Sequence, residues 1–258
     1  NDQVNFFKKN GFIKLKKVFS PGAVLKLRAE LINLLKKEFK VDPDKEAYDR
    51  FLSLEMIWPD NALLRAYVLS PRLGQISANL LEVSAVRLYH DNVLAKQSGC
   101  GRTPWHFDDH HFPLDTNDVV TAWAPAQPTP IEMGPLSFAY PLDVHELIKD
   151  VTFEKTGTGY DREVSNIFSK NNVSVNATPF ELGEVSFHHN LNFHTASSNR
   201  TNCSRIALAN TYYRDGARVI NSPTMVSGDW QKFMPNVKPG DIAASPLNPI
   251  CWPVKSEI

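Results

Sequence analysis

Six of the chain's eight histidines fall into two short clusters: His106, His110 and His111, then His188, His189 and His194. The first cluster sits in Pro104-Trp105-His106-Phe107-Asp108. On a β-strand, residues i and i+2 point to one face, so His106 and Asp108 are expected to project together as one imidazole and one carboxylate. A third ligand from a distant strand, carried by the second cluster, completes a face of two histidines and one carboxylate. That donor set suits non-haem Fe(II) and leaves positions open for a cosubstrate and O2. A His-X-Asp triplet arises by chance in many proteins; here the second cluster and the arginine behind it add weight. Arg205 lies eleven residues beyond His194. Its guanidinium is permanently charged and matches a carboxylate bidentately. Pointing into a barrel it needs such a partner, because an unpaired buried charge is costly.

Such side chains need strands to hold them. From residue 84 the chain breaks into short apolar or alternating segments at 86–94, 119–124, 134–140, 183–187, 193–196 and 205–213. Pro, Gly, Asn and Asp separate many of them, a pattern that predicts a β-barrel or jelly roll. Before residue 84 the signals are helical, apart from an alternating strand at 11–15. A short helix is expected over 2–9. Ser20-Pro21 offers an N-cap and a proline at the first helical position. Val24, Leu27, Leu31, Leu34 and Leu35 follow at three- and four-residue spacing, so an amphipathic helix is expected to about Phe39. Two more helices are expected over 61–68 and 70–81. Residues 149–172 are polar and contain Thr-Gly-Thr-Gly-Tyr, which predicts a long loop. The expected fold class is mainly β with flanking α-helices. One domain over 1–258 is expected, with a helical part at 1–83 packed on a core at 84–258.

Composition narrows the functions available. The 258 residues carry 28 basic and 28 acidic side chains, a balance that disfavours a nucleic-acid partner. Hydrophobic residues make up 42%, enough for a packed core. No apolar run approaches the roughly 20 residues a bilayer span takes. Cys100, Cys203 and Cys251 are odd in number and widely spaced, unlike a disulfide scaffold or a zinc ribbon. With no signal peptide visible, an intracellular, cytoplasmic location is the expectation, and a leader upstream of Asn1 stays open.

Several segments resemble the phytanoyl-CoA dioxygenase-like family of Fe(II)/2-oxoglutarate-dependent oxygenases. Leu88-Tyr89-His90-Asp91-Asn92-Val93-Leu94-Ala95-Lys96 is similar to the strand before that family's metal motif. Thr103-Pro104-Trp105-His106-Phe107-Asp108, with Phe112-Pro113-Leu114 after it, is similar to the motif itself. Thr121-Ala122-Trp123 and Glu132-Met133-Gly134-Pro135-Leu136 resemble its central strands, and His194, Asn199 and Arg205 match the distal motif. Pro239-Gly240-Asp241 and Pro249-Ile250-Cys251-Trp252 resemble its C-terminal tail, so the likeness runs from about Asn5 to Trp252.

The resemblance implies a double-stranded β-helix (jelly roll, cupin-like) core. It implies His106, Asp108 and His194 as iron ligands, the gap to Arg205 selecting His194 over His188 and His189. Arg205 would pair with the distal carboxylate of 2-oxoglutarate, with Asn92, Trp123 and Thr121 beside the cosubstrate. Pocket positions implied for a small-molecule substrate are 51–58 (Trp58 among them), Lys96, His110, His111, Phe112 and the 149–172 loop. Arg87, Lys96, Arg102 and Arg214 are candidate partners for an anionic substrate, while His90 and His145 are expected to be structural or superficial. The implied reaction consumes O2 and 2-oxoglutarate and releases succinate and CO2. With Asp108 present, hydroxylation, desaturation or ring closure is implied rather than halogenation, and natural-product chemistry fits the breadth of the family. The chain departs from the family pattern in places. Phe107 stands where many relatives carry Gln, facing away from the metal. Tyr140-Pro141-Leu142 and then Asp143-Val144-His145 replace a Gly-Ser-His segment. Ala196 stands where a hydroxyl often follows the distal histidine, leaving Thr195 or Ser197 as substitutes. Two other readings use the same residues. One is a non-catalytic jelly roll that binds metal and 2-oxoglutarate. The other is a zinc hydrolase or isomerase on a cupin-like barrel, which gives Arg205 no partner.

Overall fold

Capping and apolar spacing place the N-terminal helices where the sequence predicts them. The computed structural model describes residues 2–45, 49–152, 158–221 and 229–254. Helix α1 (Asp2–Asn10) leads into strand β1 (Phe12–Leu15). Helix α2 (Pro21–Phe39) starts at Ser20, whose hydroxyl accepts from the Ala23 N–H, and ends at Lys40 in the left-handed conformation. Its buried stripe is Val24, Leu27, Leu31 and Leu35. Helix α3 (Ala62–Val68) is capped by Asn61, which accepts from the Leu64 N–H at 2.9 Å. Helix α4 (Pro71–Leu81) begins on a proline. Gly74 lets α4 approach the C-terminal strand closely: a Cβ there would lie 2.6 Å from the Cys251 carbonyl oxygen.

The strands are β2 (Phe51–Glu55), β3 (Val86–Lys96), β4 (Thr103–His106), β5 (Val119–Pro125), β6 (Leu136–Tyr140), β7 (Ser174–Asn176), β8 (Val185–His189), β9 (His194–Ala196), β10 (Arg205–Arg214) and β11 (Ile250–Trp252). They form two antiparallel sheets. The larger runs β1-β8-β5-β10-β3-β11, with β2 also paired to β3, and the smaller runs β4-β9-β6-β7. This is the expected jelly roll. Period-two alternation gives each strand of the large sheet two roles. On β3, Val93 and Ala95, and Leu88 across a bulge at Tyr89 that reverses the alternation, join the apolar core with Leu31 and Leu35 of α2, Val68 of α3 and Leu73 of α4. His90, Asn92 and Leu94 point the other way, into a cavity between the sheets.

One expectation fails here. Within 149–172, residues Gly159–Lys170 form helix α5 rather than loop; residues 153–157 of that stretch lie outside the described residues. Tyr160, Val164 and Phe168 are buried at four-residue spacing, a helical stripe hidden in a polar segment. Phe168 packs edge-on against Trp105 at 5.2 Å and against Phe193 at 5.7 Å. Asp161 accepts from the Trp105 N–H at 2.8 Å and pairs with Arg102 at 2.9 Å. The helix therefore buttresses β4, the strand that ends on His106. Strands β2, β7 and β11 also escape the sequence reading, being three to five residues long.

Candidate metal centre and cosubstrate pocket

Pairing register brings two of the histidines together. His106 of β4 lies opposite His194 of β9, and their ring centroids are 4.2 Å apart. Each Nδ1 meets a backbone carbonyl, Pro104 O at 2.9 Å for His106 and Asn192 O at 3.0 Å for His194. A carbonyl only accepts, so both rings carry their proton on Nδ1 and turn an unprotonated Nε2 to the centre. Asp108 reaches the same point differently from the sequence expectation. Strand β4 stops at His106, and Asp108 sits in helical conformation (φ −88°, ψ −15°) at the start of a 3-10 turn, Asp109–His111. Its N–H donates to the Asn190 carbonyl at 2.9 Å, which fixes the turn against the end of β8. Its Oδ1 lies 3.6 Å from His194 Nε2 and 3.9 Å from His106 Nε2. The ligand atoms of these three residues all fall within 4.8 Å of one another, so the group can hold one metal ion.

Charge supports that arrangement. Burial pushes the Asp108 carboxyl up, but the imidazoles of His194, His188 and His106 outweigh it and hold the pKa well below the carboxylate range. Burial, reinforced by His106, keeps His194 well below the usual histidine value. An ionised carboxylate beside an unprotonated His194 nitrogen is the state in which these groups ligate metal.

Arg205 opens β10 and is 2% exposed. Its Nη1 donates to the Gly134 carbonyl at 2.8 Å. Gly134 has φ +73°, and a Cβ there would lie 2.2 Å from Ser197 O, so only glycine presents that carbonyl. The guanidinium lies 5.2 Å from the Trp123 ring centre. Arg205 Nε and Trp123 Nε1 are buried without hydrogen-bond partners among the described residues. Burial lowers the Arg205 pKa to about 10, so it is charged at neutral pH. A buried cation with spare donors and no carboxylate partner among the described residues fits an anionic guest.

The triad and Arg205 line one cavity of about 480 Å³. Asn92, Thr121, Trp123, His111 and Phe112 line it too, as do Phe51, Ser53, Glu55, His90, His188 and Phe233. Asn92 accepts from the Ser53 hydroxyl at 2.9 Å, and Thr121 shares a hydrogen bond of 2.9 Å with Thr211.

Several expected pocket residues lie elsewhere. Trp58 is buried in the helix-side core. The left-handed Met56 (φ +57°) turns the chain after β2, and the Ile57 N–H then caps onto Asp91 at 3.1 Å, on the helix-facing side of β3. Lys96 is buried outside the cavity lining, donating to Ser197 O at 2.9 Å and Ala196 O at 3.4 Å. Burial, with Arg205 adding repulsion, lowers its pKa to about 7. His110 lines a neighbouring pocket with Asp109 and Asp115, and its ring packs at a tilt against Phe107, centroids 4.1 Å apart. Three residues per turn send adjacent side chains of the 3-10 turn in different directions, which separates His110 from His111. Arg87, Arg102 and Arg214 pair with Asp215, Asp161 and Asp118 outside the cavity. The Thr195 hydroxyl donates to Thr103 O at 2.5 Å, so it does not replace the hydroxyl absent at Ala196. Asn199 donates to Lys96 O at 2.9 Å and Cys203 O at 2.8 Å, a brace for the chain entering β10. His90, expected to be structural, faces the cavity, and burial lowers its pKa to about 4. Its i, i+2 relation to Asn92 was the available signal.

A jelly roll that gathers two imidazoles and a carboxylate in one pocket with an unsatisfied buried arginine has the architecture of the non-haem iron, 2-oxoglutarate-using oxygenases. The phytanoyl-CoA dioxygenase (PhyH) family profile matches residues 7–207, and the chain belongs to that family. It is an Fe(II)/2-oxoglutarate-dependent dioxygenase. Among solved structures, the α-ketoglutarate-dependent carbocyclase SnoK from nogalamycin biosynthesis has a TM-score of 0.78 at 23% identity, covering 97% of this chain and 95% of that one. The epimerase SnoN, in complex with Fe3+, α-ketoglutarate and nogalamycin RO, has a TM-score of 0.75 at 18% identity, with 97% of each chain covered. EctD from S. alaskensis, with 2-oxoglutarate and 5-hydroxyectoine, has 0.73 at 17% identity, covering 95% and 86%. These likenesses show the fold. No curated protein matches the chain. No helix among the described residues is long and apolar enough to cross a membrane.

Proposed function

We propose that the enzyme oxidises a C–H bond of a small molecule, by hydroxylation, desaturation or oxidative ring closure, with His106, Asp108 and His194 as the iron ligands. When bound, iron and 2-oxoglutarate supply the O2-dependent oxidation, with succinate and CO2 as coproducts. The chain's own residues do the holding and sorting. The backbone carbonyls of Pro104 and Asn192 fix the tautomers of His106 and His194. Arg205 and Trp123 offer buried donors in the cavity, where the distal carboxylate of 2-oxoglutarate takes the guanidinium. Asn92 and Thr121 line the same cavity, Asn92 as a polar guide for the cosubstrate and Thr121 beside the Asp108 carboxylate. Phe51, His90, His111, Phe112 and Phe233 form the aromatic part of the lining, which excludes water and accepts a largely apolar substrate. In this reading the helical N-terminal part and the jelly roll act as one oxygenase unit.

The observation that carries the reading is Arg205, a buried charge without an acidic partner among the described residues, in the same cavity as the triad. A zinc hydrolase or isomerase gives it no partner; a non-catalytic barrel that binds metal and 2-oxoglutarate does, and substrate-dependent succinate release separates that reading from an oxygenase. The test is a succinate-release screen over metabolite amines, carboxylic acids and ring compounds, with Fe(II) and 2-oxoglutarate present. Substrate-dependent succinate that disappears on chelation supports the reading. Full turnover after chelation and dialysis, with neither Fe(II) nor 2-oxoglutarate restored, refutes it.

A further inference from the structure

His188 lies outside the set of ligand atoms that can share one metal ion, yet it faces the same carboxylate. It sits on β8 opposite Thr121 of β5 and is 2% exposed. Its Nε2 is 3.2 Å from Asp108 Oδ2. The Thr121 hydroxyl approaches that same oxygen at 3.5 Å. The other oxygen, Oδ1, is the one turned to His194 and His106, at 3.6 and 3.9 Å. The two oxygens of Asp108 are thus divided between the small sheet, which carries the histidine ligands, and the large sheet, which carries His188 and Thr121.

The protonation of His188 follows from its partner. An ionised carboxylate only accepts, so His188 Nε2 must donate and carries the ring proton. Its Nδ1 is buried with no partner among the described residues. A ring nitrogen that already holds a proton and a hydrogen bond has no lone pair for a metal. From this division we infer that His188 is a positioning residue: with Thr121 it ties up Oδ2, so that Asp108 meets the metal through Oδ1 alone. A carboxylate free to swing would close on the metal with both oxygens and take one of the positions that the cosubstrate and O2 require.

The inference rests on the reading of His106, Asp108 and His194 as metal ligands, and its test uses Co(II) as the probe, added to the full chain. His188→Asn has an amide too short to reach Oδ2. His188→Phe keeps the ring volume without the donor. His188→Gln can place an amide nitrogen where Nε2 was. The expected result for Asn and Phe is Co(II) affinity weaker by about 10- to 100-fold, with weaker visible absorption bands as the coordination number rises. Gln is expected to stay within about threefold of wild type in affinity and to keep its spectrum, a rescue that packing alone does not provide. The melting temperature of the metal-free proteins identifies the folded variants. Wild-type affinity and spectrum in either folded variant, Asn or Phe, overturns the proposal. So does loss of one imidazole from the cobalt shell in X-ray absorption of either, which would make His188 a ligand. A wild-type protein that binds no Co(II) overturns the metal-centre reading itself, a different outcome from either.

Discussion

Replacing Arg205 with methionine tests the cosubstrate end of the cavity most directly. The side chain is 2% exposed, and its guanidinium keeps one carbonyl partner while Nε has none among the described residues. A bound carboxylate therefore takes donors that nothing else in the pocket satisfies. Removing one member of a buried, hydrogen-bonded charge pair costs about 2–5 kcal/mol. At about 1.4 kcal/mol per tenfold, 2-oxoglutarate affinity is expected to fall about 30- to 4,000-fold. The protein without cosubstrate should barely notice. Burial pulls the Arg205 pKa from 12.5 to about 10, a strain on the cation of about 3 kcal/mol that methionine relieves. Methionine also strips Gly134 O of a donor, which costs about 1–3 kcal/mol. These two effects oppose each other, so the melting temperature of the metal-free variant should stay close to wild type. The assay is an anaerobic titration of the Fe(II)-loaded protein with 2-oxoglutarate, followed by its charge-transfer absorption, with thermal melts alongside. A folded Arg205→Met protein that binds 2-oxoglutarate within threefold of wild type refutes the assignment.

Three further outcomes are expected. Asp108→Ala and His194→Ala should each abolish iron-dependent turnover, and chelation followed by Fe(II) should remove and restore wild-type activity; iron-independent succinate release in either variant counts against the triad. Burial raises the Asp91 carboxyl from 3.8 to about 6, so between those pH values the folded state holds a proton that the unfolded chain has lost, and wild-type stability falls as pH rises through the window. In urea titrations Asp91→Asn should gain on wild type by up to about 3 kcal/mol from pH 4 to pH 7, and a pH-independent difference rejects that origin. Phe168→Ala should cost about 3–4 kcal/mol through the cavity it leaves beneath Trp105, read as a lower urea midpoint; a loss below 1 kcal/mol would mean that α5 does not brace β4.

Much of the site was legible because its spacing in sequence maps onto strands. His106, His194 and Arg205 each stand at a strand end. The helices of the first third were equally plain, since Ser20, Pro21 and the Val24–Leu35 stripe signal locally. Helix α5 was missed because Tyr160, Val164 and Phe168 are only three apolar positions in a polar stretch, and their meaning depends on Trp105 and Phe193 lying across from them. Trp58 and Lys96 were misplaced for a related reason. A left-handed Met56 turns the first beneath the sheet, and the carbonyls after β9 draw the second away from the cavity.

The sequence by itself determined the chemistry on offer: which residue types exist, their order, and the period-two and period-four patterns that assign them to strands and helices. Which oxygen of Asp108 faces the histidines, which nitrogen of each imidazole is free, and that His188 meets the other oxygen were decided only by the tertiary structure. The physical reason is that local patterns fix the direction of a side chain relative to its own strand. The distance between two side chains depends on register across sheets, and Asp108 lies where two sheets close on each other. Its 3.2 Å contact with His188 joins residues eighty positions apart, a relation that no local spacing encodes.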